Sequence, residues 1–186
     1  TLGELVAYLK KNPGKFSYAS QGNGSLSHIG TELFKQHTGT NMLHVPYKGS
    51  GQAVADVLSG RVHVFITTPP SVMQHVQSGK LKALAIAGKA RHPMLPQVPT
   101  TAEAGFPDFT LEAWMGLFAP AGTPPALVTQ LTNGVKGALD TPEAKKQADA
   151  QGVEIHYLNP PAVASLVTGE LDYWNKVIKK ANITLD

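Results

Sequence analysis

Apolar residues recur along this chain in two rhythms, one of about 3.6 residues and one of 2. Leu2, Leu5, Val6 and Leu9 stand at helical spacing, with Thr1 as a cap and Asn12-Pro13-Gly14 as a stop. Residues 15–20 (KFSYAS) then read as a short strand, and a glycine loop follows at 22–24. The next helix is SLSHIGTELFKQHTG, with Leu26, Ile29, Leu33 and Phe34 on one face and Gly39 at its end. Residues 41–47 predict a strand broken by Pro46. KGSGQ is a second glycine-rich turn, and QAVADVLSG a short helix ending at Gly60. Residues 61–68 are β-branched and alternate in part, as strands do. PPSVMQHVQSG opens with proline at a helix N-terminus and stops at Gly79. Residues 80–88 (KLKALAIAG) predict one more strand.

Helix and strand thus alternate four times, which predicts an α/β fold with a mainly parallel sheet flanked by helices. Ligands of such sheets bind beyond the C-terminal strand ends, where the strand order reverses. Three polar loops, 20–25, 46–51 and 67–71, follow strands and are expected on one edge of the sheet. Beyond residue 88 the pattern changes. KARHPMLPQVPTTAEAGFPDF holds four prolines and reads as a surface connection. A strand-like stretch lies in 110–124. Two helices follow, divided at Asp140-Thr141-Pro142; then a strand at 153–158; then a long helix from Pro160 to Ile183 with Val163, Leu166, Val167, Leu171, Trp174 and Ile178 on its apolar stripe.

Composition narrows the function. With 42% hydrophobic and 16% charged residues in 186, the chain can bury a core and is not disordered. No run of 18 apolar residues predicts a membrane span. The net charge is +3, but the lysines are scattered and no basic, aromatic-interleaved stripe occurs, so nucleic acid is not an expected partner. Cysteine is absent, which removes disulfides, thiolate metal sites and cysteine nucleophiles together. The seven histidines form no His-Glu-x-x-His or other tight pair, so no metal is expected; they read as surface or satisfied core residues. The first residues show no signal-peptide pattern, and the abrupt helical start reads as the interior of a longer chain.

The loop at 22–24 carries the chemistry. Gly22-Asn23-Gly24-Ser25-Leu26-Ser27 lacks the third glycine of a dinucleotide fingerprint, and Asn41 and Met42 stand where its acidic residue belongs. No Gly-Lys-Ser/Thr closes a phosphate loop, so no nucleotide cofactor is expected. Ser25 and His28 share a helix face, but no Gly-x-Ser-x-Gly elbow is present. Ser25 reads as a helix cap and His28 as a tether for the loop, and the chain is not expected to be an enzyme. Anion capture remains. Helix N-termini offer unpaired N–H groups and the positive end of the macrodipole, and glycines let backbone approach a ligand. Ser25, Ser50 or Gly51, and Thr68 open three helices toward the same predicted edge. A carboxylate suits this arrangement.

TLGELVAYLKKNPGKFSYASQGNGSLSHIGTELFKQHTG, HVPYKGSGQAVADVLSGRV, GKLKALAIAGKARHPMLPQVPTTAEAG and FAPAGTPP together resemble the tripartite tricarboxylate transporter substrate-binding proteins, the Bug family of extracytoplasmic solute receptors. The resemblance is collinear over essentially the whole chain. It implies a two-lobed fold like that of type II periplasmic binding proteins, a periplasmic location, a small di- or tricarboxylate or aromatic acid as ligand, and membrane permease subunits as partners. In family terms residues 1–110 resemble a complete second lobe. Residues 111–186 resemble a hinge-crossing strand (LEAWMGLFAP) and the C-terminal portion of the first lobe. That portion alone would expose apolar faces and favour self-association. The motif match implies ligand-binding roles for Ser20, Gly22, Asn23, Gly24, Ser25 and His28, and for Tyr47, Lys48, Gly49 and Ser50. Where many members carry an acid, Val62-His63-Val64-Phe65-Ile66-Thr67-Thr68 has Thr67, which implies a preference for plain carboxylic acids over amino acids. The alternative reading is the effector-binding domain of a transcription regulator of similar two-lobed architecture.

Overall fold

A computed structural model describes residues 1–181. The chain divides into two compact units. One comprises Thr1–Ala113 and resumes at Lys176; the other is Trp114–Asn175.

In the first unit, helix α1 (Leu2–Lys11) starts on a full capping box. The Thr1 side chain accepts from the Glu4 amide, and Glu4 reaches back to Thr1. Its Leu2, Val6 and Leu9 are buried. Strand β1 (Ser17–Ser20), helix α2 (Leu26–Thr38), strand β2 (Leu43–Pro46), helix α3 (Ser50–Leu58), strand β3 (Val64–Phe65) and helix α4 (Pro69–Gln77) follow in the expected alternation. The three strands are parallel, in the order β2-β1-β3. β1 is therefore central, and the chain steps to one side of it and then to the other.

The period of 2 along β1 decides what each face holds. Ala19 points to one face, where it meets Ala53 of α3 and Val62, with Val45, Val57 and Phe65 packed around them. Tyr18 and Ser20 point to the other, where α2 lies: Tyr18 donates to Glu32 of α2 at 2.6 Å. Register sets Tyr18 beside His44 and Ser20 beside Pro46. Both β1 side chains are fully buried.

Residues 80–88 differ from expectation. They form no strand; Ile86 makes only an isolated parallel bridge to Thr100. The backbone bonds a strand would offer to a sheet go elsewhere. Ile86 donates to the carbonyl of Pro99 and accepts from Thr101, and Ala87 accepts from Leu111. Ala83 and Ile86 still supply apolar surface, packing on the Met73, Leu95 and Val98 cluster beneath α4. Residues 89–109 form no helix and, beyond the Thr100 bridge, no strand. They are nevertheless more than the surface connection that the prolines predicted: Leu95, Val98, Thr100, Thr101 and Phe109 are buried, with Phe109 edge-on to Phe34 of α2.

In the second unit, helices α5 (Pro125–Leu139) and α6 (Pro142–Gln151) divide at Thr141, whose side chain caps α6. Helix α7 (Pro160–Ala181) closes the described chain; Asn182 and Ile183 of the predicted helix lie outside the described residues. Residues 110–124 and 153–158 form no strand among the described residues. Residues 153–157 keep the half-buried, exposed alternation of a strand, but no neighbouring strand bonds to them. A strand is held by its ladder, and without a partner it is only an extended segment.

Candidate functional site

Parallel strands end on the same edge, so the loops after β1, β2 and β3 emerge together. The loop after β1 lies in the middle and bonds to both neighbours. The Tyr47 amide donates to the Ser20 carbonyl at 3.1 Å, and the Gly49 amide to the Gln21 carbonyl at 3.2 Å. On the other side the Gln21 amide nitrogen Nε2 reaches Thr67 Oγ1 at 3.4 Å. A Cβ at Gly22 would stand 3.3 Å from the Tyr47 carbonyl oxygen, so the first two loops approach to backbone contact.

Within the first loop every small side chain has work to do. Ser20 Oγ accepts from the Gly22 amide and lies 2.6 Å from His44 Nε2. The Gln21 amide donates to Ser27 Oγ at 2.8 Å. Ser25 caps α2: its Oγ accepts from the His28 amide and donates to the Gly22 carbonyl at 2.6 Å. His28 Nδ1 accepts from the Gly24 amide at 3.1 Å, which makes it the tether that the sequence suggested. Gly22 and Gly24 carry φ of 133° and 73°, values an L side chain resists. Asn23 is the exposed tip.

The Ser25 and His28 side chains therefore serve the loop's own backbone rather than each other. Ser25 Oγ donates to a carbonyl and the His28 ring nitrogen is occupied by Gly24, which is not the serine–base contact of a hydrolase.

The second and third loops differ from the first. Helix α3 is capped by Gly49 and α4 by Thr68, and neither cap makes a side-chain hydrogen bond. Ser50 is thus the first residue inside α3 rather than its cap. Thr68 Oγ1 lies 3.5 Å from Ser71 Oγ, at the limit of bonding. Helix α3 thus presents its leading N–H groups and positive dipole end at the sheet edge without a capping oxygen, whereas α4 opens on Pro69 and Pro70, which have no N–H, and its Ser71 amide donates to the Thr68 carbonyl at 3.1 Å. Lys48 is exposed on the second turn. Tyr47 turns inward: its hydroxyl donates to Asp56 at 2.8 Å, and burial followed by that carboxylate raises its pKa. Asp56 also pairs with Arg61 at 3.0 Å, so it adds little uncompensated negative charge.

Three residues escaped the sequence reading. Gln21 and Ser27 stitch the loop, and their amide and hydroxyl are too common to signal that. His44 was set aside as one more scattered histidine. The β1–β2 register brings it against Tyr18, and its ring stacks on His28 with centroids 4.0 Å apart. No group of three or more metal-ligating side chains gathers among the described residues.

Residues 1–183 match the family model described as the tripartite tricarboxylate transporter family receptor. Protein BugT of Bordetella pertussis is 36% identical over 185 residues; the match takes in 100% of this chain and 57% of BugT. Among solved structures, Rpa4515 of R. palustris with adipate superposes with a TM-score of 0.93 at 34% identity, over 99% of this chain and 62% of that one. The periplasmic binding protein BugD gives 0.91 at 33%, over 98% and 62%. MatC of Rhodopseudomonas palustris with bound malate gives 0.89 at 32%, over 95% and 61%. This chain thus spans about three fifths of the length of these relatives. Its fold is that of periplasmic binding proteins, and its strand-end loops stand on a frame shared with proteins solved holding small dicarboxylates. The chain belongs to the tripartite tricarboxylate transporter family of solute-binding receptors.

Proposed function

We propose that this chain is the ligand-binding part of a periplasmic receptor that captures a small carboxylate, a di- or tricarboxylate or an aromatic acid, and delivers it to the membrane permease of a tripartite transporter. The observation that carries the reading is the convergence of three loops on one sheet edge. The first is glycine-lined and fully braced from behind; the second opens α3, whose leading N–H groups lack a side-chain cap, and the third brings the Thr67 and Thr68 hydroxyls to the N-terminus of α4. Such donors suit a carboxylate, which accepts from several N–H and O–H groups at once. The ligands held by Rpa4515 and MatC, adipate and malate, belong to that class.

Gly22, Asn23, Gly24, Ser25, Tyr47, Lys48, Gly49, Ser50, Thr67 and Thr68 form this wall, with the buried Ser20 and His28 behind it. The second loop offers the leading amides of α3 and the exposed cation of Lys48, the third loop the neutral hydroxyl of Thr67, and the first a glycine-lined surface whose Gln21, Gly22 and Gly24 amides and Ser25 hydroxyl are bonded within it. On this reading residues 1–110 are one complete lobe, and 111–186 are the hinge-crossing segment, which forms no strand here, and the C-terminal portion of the first lobe. Family membership favours this receptor over a regulator's effector domain. Receptor closure around the acid follows the hinge behaviour of two-lobed binding proteins.

A thermal-shift panel of mono-, di- and tricarboxylates, aromatic acids and acidic amino acids tests the reading on the protein at family length. An acid at a hundred times its Kd adds about 2.7 kcal/mol. For a protein of this size that moves Tm by roughly 2–4 °C per kcal/mol. A selective shift with one acid class identifies the substrate; no shift with any acid refutes carboxylate capture. Gly24→Val should weaken the responding acid more than it lowers the melting temperature.

A further inference from the structure

The glycine loop keeps its shape because two imidazoles hold it from behind. His28 sits in the first turn of α2 and His44 in the middle of β2, and their rings lie parallel within 11° at 4.0 Å. Tyr18 lies near-parallel to both rings, 4.9 Å from His44 and 6.5 Å from His28. Each imidazole spends a nitrogen on the loop. His28 Nδ1 accepts from the Gly24 amide at 3.1 Å, so the ring must be neutral with its proton on Nε2. His44 Nε2 lies 2.6 Å from Ser20 Oγ, and Ser20 Oγ accepts from the Gly22 amide at 3.2 Å. The pair thus grips the loop at both of its glycines.

We propose that His28 and His44 are positioning residues, a stacked pair of neutral imidazoles that docks the 21–25 loop, and that protonating the pair undocks the loop and weakens carboxylate binding. The loss of binding rests on the carboxylate reading given above; the docking does not. A proton on His28 Nδ1 sets an N–H against the Gly24 N–H, and that bond must break. A proton on each ring sets two cations about one ring-stack apart, and they repel.

The neighbours do not relieve that charge. From α2 face Glu32 and Lys35, and from β1 faces Tyr18. Glu32 already accepts from the Tyr18 hydroxyl and from Lys35 Nζ, both at 2.6 Å. Lys35 Nζ lies 5.5 Å from the centre of the Tyr18 ring and adds a positive charge of its own. Burial, with the His28 ring second, pulls His44 down to about 4. Burial also lowers His28, against some support from Glu32.

The test is an NMR titration of the 15N-labelled 186-residue chain from pH 7.5 to pH 3.5, following the Gly22 and Gly24 amides and the imidazole nitrogens. At neutral pH His28 should carry its proton on Nε2. The rings should titrate as one coupled system below the ordinary histidine value of about 6.5, and both glycine amides should move with them. The double variant His28→Asn, His44→Gln keeps an acceptor near each ring-nitrogen position and removes the charge change; its glycine amides should hold still. Rings that titrate independently near 6.5, or glycine amides that stay put while the rings titrate, overturn the proposal.

Affinities of the protein at family length for malate, adipate and the acid that responds in the panel, over the same range, form the second arm, with the double variant correcting for the acids' own protonation. Affinity of the unaltered chain should fall about tenfold more than the variant's for each pH unit below the pair's first apparent pKa. Parallel profiles overturn the coupling to binding. If no acid of the panel binds at any pH, the carboxylate reading fails, while the ring and amide titrations still decide the docking.

Discussion

Gly22 is the most constrained residue of the candidate site. Its φ of 133° is closed to L side chains, and a Cβ there would press on the Tyr47 carbonyl at 3.3 Å. Gly22→Ala should therefore cost about 1–3 kcal/mol of strain and shift the first loop against the second, read as a lower Tm and a weaker response to the acid found in the panel. Ser25→Ala removes the cap of α2 and should cost about 1 kcal/mol, leaving the Gly22 carbonyl with the Ser25 amide and the Ser20 hydroxyl as its donors. The histidines act in the other direction, through protons. His28 and His44 have folded pKa values below their unfolded ones. The unfolded chain therefore takes up protons first, and stability is complete above the unfolded value of about 6.5. It is lost as pH falls from there toward the folded values, about 4 for His44. Urea midpoints measured across that window should fall with pH, and His44→Gln should flatten the dependence. A midpoint that rises on acidification would show that the imidazoles gain a partner when charged.

Helix α3 approaches the sheet closely because Ala53 meets Ala19, both fully buried. That approach brings the Gly49 end of α3 to the strand edge, where its amide bonds the first loop. Ala53→Leu inserts three carbons into a packed contact and should cost about 1–3 kcal/mol. Because the helix must shift to admit it, loop geometry should suffer as well as Tm. Glycine amide shifts in the Ala53→Leu variant would register the displacement. The elements that the periodicity identified correctly are the ones whose bonding is local. α1, α2 and α4 carry their own caps or prolines, and α5 and α6 divide where Pro142 stands. Residues 80–88 were misread because β-like composition says nothing about which backbone groups will be nearby; here they are those of 99–101 and 111.

In the second unit the extended segment and α7 leave much apolar surface open. Leu117 and Phe118 are 81% and 69% exposed. Trp114, Phe118, Val167, Leu171 and Trp174 line a groove of about 250 Å³ whose polar contribution is Glu170. Patches of this kind drive association unless covered. Light scattering of the 186-residue chain should show self-association that Leu117→Ser with Phe118→Ser reduces, and a monomer before substitution would argue that the patch is tolerated as it stands. On the proposed carboxylate reading, the choice of ligand falls in part to the third loop. With Thr67 at the third loop, no carboxylate is available there for a substrate amine. Malate should therefore outcompete aspartate in a displacement assay at family length, and tight aspartate binding would refute that preference.

The order of the elements, their parallel sense and the edge on which the loops gather were all legible in one dimension. They follow from periodicity, caps and the rule that parallel strands end together. The glycine loop was legible too, because few other residues can adopt positive φ or come so close to another backbone. What the sequence could not convey was every relation that depends on register. His44 lies sixteen residues from His28 with nothing in the spacing to pair them. The pairing of Tyr18 with His44 across β1 and β2, and the placement of α2 over that same face, bring the two rings together. The same is true of the strands that did not form. Residues 80–88 and 153–158 have the composition for strands, but a ladder needs a second backbone alongside, and only the folded chain decides whether one is there.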